Sequence, residues 1–189
     1  MRFTLSTTLA VATAASGAAA QLSGDQVLKS LNDIVSGLRS AGDARVKLQQ
    51  ATPTINAQTV VAFENALNDA FAPVYNTINE NSLGDENNIG DFNDAQQAAL
   101  CALLPQFTQA GNYAIDTLSK LPTFQDQNGP AFDTEFKFGL TIESLSIGLN
   151  SVAWSLHLAG ASAKCDSDNF AVLQGLSGSL DDLSNYLLY

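Results

Sequence analysis

The chain has 189 residues, 46% hydrophobic and 14% charged, with eight Lys and Arg against nineteen Asp and Glu. Such a length suits one domain that buries roughly 70% of its unfolded surface, and a net charge of −11 makes nucleic acid and anionic membranes poor partners. Four of the basic residues, Lys29, Arg39, Arg45 and Lys47, fall in one segment, and the chain beyond Leu48 is strongly acidic.

Residues 1–20 have the three parts of a secretion signal: Arg2 as a positive start, an apolar stretch around Leu9 to Ala15, and a small-residue end at Ala18-Ala19-Ala20. Cleavage before Gln21 is expected, leaving a domain of residues 21–189 with seven basic and nineteen acidic side chains and a net charge of −12. The apolar stretch is too short, and too rich in Thr, Ser, Gly and Ala, to serve as a membrane anchor. No later segment reads as a transmembrane span. A secreted protein, extracellular or in a cell wall, is the expectation.

From Asp25 to Leu48, Leu28, Leu31, Val35 and Leu38 recur at spacings of three and four, which predicts a first amphipathic helix. Asp25 and Lys29, Lys29 and Asp33, Arg39 and Asp43, and Asp43 and Lys47 stand four apart, as helical charge pairs do. Thr52-Pro53-Thr54 breaks the pattern. A second helix to about Asn79 carries Val60, Phe63, Leu67, Phe71, Val74 and Ile78 on one side, and Pro73 is expected to kink or end it.

Residues 81–94 are rich in Asn, Asp and Gly and read as a loop, with Asp94 as the expected cap of the next helix. Asp85-Glu86-Asn87-Asn88-Ile89-Gly90 resembles the start of a calcium loop. Ile89 and Gln96, however, stand where an oxygen ligand and a bidentate Glu are needed, so an ordinary acidic turn is the reading. A third helix from Ala95 to Lys120 buries Leu100, Leu103, Leu104, Phe107, Ile115 and Leu118, with Pro105 giving a bend or a late start. Residues 121–130, with Pro122, Asn128-Gly129 and Pro130, form a second break.

The fourth helix, Ala131 to Ala163, has two apolar faces. One holds Ile142, Leu145, Leu149, Val152 and Leu156; the other holds Leu140, Ile147, Trp154 and Leu158. A stripe of small residues, Ser144, Gly148, Ser151, Ser155 and Ser162, lies between them, and a polar line of Glu143, Ser146, Asn150 and His157 lies opposite. That pattern suits a central helix with neighbours on both sides. Asp168 is a candidate N-cap for a last helix with a seam of Phe170, Leu173, Leu176, Leu180, Leu183 and Leu187. The fold class expected is therefore all-α: one bundle of about five helices.

Cys101 and Cys165 are the two cysteines, and an even pair in a secreted chain is most simply a disulfide. A reactive thiol or metal ligation are the alternatives, although two cysteines and His157 cannot complete a usual zinc site. No hydrolase motif is present, His157 reads as a surface residue, and neither an enzyme activity nor a metal or cofactor is expected. Phe124, Phe132, Phe136 and Phe138 lie within fifteen residues. Core packing is one reading of that cluster, and an apolar site for acyl chains or surfaces is the other. On the second reading, Phe132, Phe136, Leu145, Leu149, Val152 and Leu156 are the candidate lining.

The stretch LNDIVSGLRSAGDARVKLQQATPTINAQTVVAFENALNDAFAPVYNTINE, with the order of long helices over most of the domain, resembles the fungal hydrophobic surface-binding protein A family, which includes cell-wall mannoproteins. The resemblance implies a helical bundle that adsorbs to hydrophobic surfaces, recruits secreted esterases there, or holds a fatty acid between helices. A structural or host-facing secreted protein, whose helices simply pack a core, is the alternative.

Overall fold

The structure, a computed structural model, describes residues 21–56, 58–85, 88–122, 129–161, 165 and 167–188. The secretion signal read in residues 1–20, Phe124, Ser162 and the side chains of Asp168 and Phe170 lie outside the described part. The fold is an all-α bundle of five helices with one disulfide: α1 (Gly24–Ala51), α2 (Val60–Glu80), α3 (Asp94–Ile115), α4 (Pro130–Leu158) and α5 (Ser167–Leu188).

The helix ends follow local chemistry. Ser23 and Gln26 form a capping box at the start of α1, and Asn93 and Gln96 form one at α3, each satisfying otherwise orphaned amides. Asn93, rather than the expected Asp94, is the cap. Pro53 holds Thr52 out of the helical region and stops α1, whereas Pro130 opens α4 at a position where its missing N–H costs nothing. Pro73 and Pro105 both lie inside continuous helices, so α2 does not end at Pro73 and α3 does not start late. The third helix stops at Ile115, short of Lys120. Thr117 adopts a left-handed φ of 68° and only a 3-10 turn, Leu118–Lys120, follows.

The helices form a closed ring: α1 packs on α2 and α3, α2 on α4, and α4 and α3 on α5. Gln96 Nε2 donates to Asp25 and the Tyr113 hydroxyl to Asp43, so α1 and α3 run parallel. The Cys101–Cys165 bond, with Cα atoms 5.3 Å apart, and the meeting of Gly111 with Leu176 make α3 and α5 parallel too. Asn68 meets Thr141 and Ile78 meets Gly148, which sets α2 parallel to α4. Ser146 and Ser177, together with Gly139 and Leu188, set α4 antiparallel to α5. Helices α1, α3 and α5 thus point one way and α2 and α4 the other. Inside the ring Phe63, Phe71, Phe107 and Phe138 are among the largest fully buried side chains, and they fill the core that sheets would otherwise build.

The connection from α2 to α3 must pass the start of α1. Leu22 N–H donates to the Asn88 carbonyl at 2.7 Å and Gly90 N–H to the Leu22 carbonyl at 2.9 Å, while Leu83, Ile89 and Phe92 are buried beneath. Ile89 and Gly90, which in sequence fall within the calcium-loop-like stretch, therefore close one end of the bundle.

Candidate functional site

Helix α4 turns a different chemistry to each side. Taking about 100° per residue, Phe138, Ile142, Leu145, Leu149, Val152 and Leu156 cluster on one side, and all are at most 1% exposed. About 180° away, within an arc of about 40°, stand Phe136, Leu140, Ile147, Trp154 and Leu158, and these are 40–60% exposed. No other described helix carries such a row: the remaining exposed large apolar side chains are Tyr113 and Tyr186. The row runs about 33 Å along the helix at 1.5 Å per residue.

The small residues between the two faces do what their size permits. Ser144, Gly148 and Ser151 line α4 where it meets α2, and a Cβ at Gly148 would lie 3.3 Å from Ile78. On the other flank Ser146 and Ser177 exchange hydroxyl-to-carbonyl bonds of 2.9 and 3.0 Å across the α4–α5 contact. Ser146 is thus buried rather than part of the outward polar line, while Asn150 and His157 do face out. The helix ends earlier than Ala163. Gly160, with φ of 64°, lets its own N–H reach the His157 carbonyl and that of Ala161 reach Leu156, a Schellman stop.

The six residues expected to line an apolar ligand site are not brought together. Leu145, Leu149, Val152 and Leu156 are core. Phe132 and Phe136 stack with ring centroids 6.2 Å apart near the start of α4, where Phe132 is half-buried and Phe136 exposed. Phe138, by contrast, packs in the core on Phe71 at 6.1 Å. The phenylalanine cluster therefore divides between core packing and an exposed apolar face.

Beside the exposed row, between α2 and α4, lies a cavity of about 290 Å³ lined by Tyr75, Ile78, Asn79, Ser82, Gly84, Asp85, Ser144, Ile147, Gly148 and Ser151. Ile147 belongs to both the row and the cavity.

Among the described residues three ionisable side chains of the Arg, Lys, Asp and Glu kinds are buried. Arg45, 4% exposed, donates to the Tyr113 carbonyl at 2.9 Å, to Gln49 at 2.7 Å and to Thr117 at 3.2 Å. It thus serves one of the last carbonyls of α3, where a cation is favoured. Glu64 and Glu135, each 1% exposed, approach each other from α2 and α4. Burial first, and the neighbouring Glu135 second, push the Glu64 carboxyl up to about 8, and its Oε2 has no hydrogen-bond partner among the described residues. Neither glutamate lines the α2–α4 cavity. Sequence reasoning missed all three, yet a signal exists. Arg45 extends the spacing of Leu31, Ile34, Leu38 and Ala41; Glu64 falls three before Leu67 and seven before Phe71; Glu135 falls three before Phe138 and seven before Ile142. A charge on an apolar seam is a buried charge.

No family model, curated protein or solved structure matches the chain.

Proposed function

We propose that this protein is a secreted fungal extracellular or cell-wall protein that binds hydrophobic surfaces or lipids, and that it docks through the outer face of α4. The observation that carries this reading is the row of Phe136, Leu140, Ile147, Trp154 and Leu158. Large apolar side chains gathered on one outward face mark interaction surfaces, whereas scattered ones do not. The row is convex and runs along one helix. That shape suits an extended apolar surface, or fatty acyl chains lying in one, better than a single fatty acid enclosed between helices. The interior, filled by packed side chains, supports the same preference. The family resemblance and the signal-like residues 1–20 supply the secreted fungal setting and the recruitment of a secreted esterase. Glu64 and Glu135 are closed off from solvent, which favours a binder over an acid–base enzyme.

Adsorption to phosphatidylcholine vesicles and to alkylated silica tests the reading, followed by Trp154 emission, since Trp154 is the one tryptophan in the chain. Covering a half-exposed Ile or Leu contributes about 1 kcal/mol. The double variant Ile147→Ser, Leu158→Ser should therefore bind about tenfold or more weakly with unchanged helix content. Equal adsorption of the variant and the parent would remove α4 from the docking surface.

A further inference from the structure

We infer that the cavity between α2 and α4 takes the uncharged sugar headgroup of an amphiphile whose apolar part lies on the α4 row, so that the surface this protein docks on carries glycolipid. The inference rests on the docking face proposed above and names what that face recognises.

Size comes first. At about 290 Å³ the cavity stands at the lower end of ligand pockets, enough for one monosaccharide and too small for an acyl chain. Its position comes second. Ile147 forms its edge and is also the most exposed member of the apolar row at 60%, so a ligand can fill the cavity with one end and cover the row with the other.

The lining decides the chemistry. It offers the Tyr75 ring and hydroxyl, the Asn79 carboxamide, the Ser144 and Ser151 hydroxyls and the Asp85 carboxylate, and it contains no Lys, Arg or His. The Tyr75, Asn79, Ser144 and Ser151 side chains take part in none of the side-chain hydrogen bonds among the described residues. Phosphate or sulfate would meet a carboxylate with no cation to offset it, on a molecule that is acidic overall. Sugar hydroxyls both donate and accept. They match a set of hydroxyl, carboxamide and carboxylate groups, and a sugar ring has an apolar face to lay on Tyr75.

The cavity is also held in shape. Ser82 adopts a left-handed φ of 48°, which turns the chain so that Gly84 lies against α4, where a Cβ would stand 2.8 Å from that of Ser151. Only a residue without a side chain allows that approach, and it holds the 81–93 connection against the Ser151 side of the cavity.

Vesicles of phosphatidylcholine alone, and of phosphatidylcholine with glucosylceramide, test the inference on the secreted protein, with co-flotation and Trp154 emission as readouts. Glucosylceramide should lower the lipid concentration for half-maximal binding about tenfold, and soluble methyl glucoside should cancel that gain. Asn79→Ala, at an exposed position, and Ser144→Leu, which fills the cavity, should each lose the gain. Equal binding to both vesicles, or a gain that survives in both variants, would overturn the sugar headgroup while leaving the apolar row in place. If Asp85→Asn weakens binding to plain phosphatidylcholine as much as to the glycolipid vesicle, the cavity takes the choline cation and the sugar assignment is wrong. Parent protein that binds neither vesicle nor alkylated silica would remove the docking face itself, and the headgroup site with it.

Discussion

The buried charges make the sharpest demands of any single residues here. Arg45 is enclosed at 4% exposure and held by the Tyr113 carbonyl, Gln49 and Thr117. Arg45→Ala would leave those partners unserved and a void behind, at a cost of roughly 2–3 kcal/mol, read as a lower urea midpoint with an unchanged slope. Glu64 acts in the opposite sense. Its folded carboxyl titrates near 8 against an ordinary 4.5, so the fold holds this proton more tightly than the unfolded chain does. The resulting stability is fully present below pH 4.5 and is lost as pH rises through about 8. Melting temperature should fall across that window, and Glu64→Gln, which keeps the shape without the titration, should flatten the fall. Parallel profiles for the two proteins would show that Glu64 is not the group responsible.

Among the elements, α3 is tied covalently to the connection that leads into α5. The Cys101–Cys165 bond closes a loop of 64 residues, worth about 4 kcal/mol in the chain-entropy account. Replacing both cysteines by Ala should lower the melting temperature by roughly 10 °C, and an unchanged value would mean that the α3–α5 contact alone sets the stability there. The existence of each helix was legible in the sequence because periodicity reports which residues share a face. Leu173, Leu176, Leu180, Leu183 and Leu187 are buried as their spacing implies. Periodicity does not report whether a face is covered. Leu140, Ile147, Trp154 and Leu158 read as a second packing surface, yet α4 meets α2 and α5 on its other sides and leaves that row outside. The end of α4 was misplaced because Gly160 acts through a left-handed φ, while the apolar pattern alone runs on past it. The α2–α4 cavity had no signal along the chain, since Tyr75, Asp85 and Ser144 meet only once both helices and the 81–93 connection are in place.

At the scale of the whole molecule, the basic cluster and the exposed apolar row lie on different helices. Helix α1 carries Lys29, Arg39, Arg45 and Lys47 and packs on α2 and α3, whereas α4 packs on α2 and α5, so the basic helix and the exposed row occupy different parts of the ring. The rest of the chain is acidic, and the whole chain has a net charge of −11. If the α4 row is what docks, the Coulomb field opposes approach to anionic lipid and is indifferent to neutral lipid. Binding to phosphatidylcholine vesicles should then barely change with salt. Binding to vesicles that also contain phosphatidylserine should be weakest near 0.01 M salt, where the Debye length is about 30 Å, and should recover toward 0.15 M, where it is about 8 Å. The reverse order, with anionic vesicles favoured at low salt, would mean that Lys29, Arg39 and Lys47 carry the docking. The apolar row on α4 would then need another partner, with a second protein surface the natural choice.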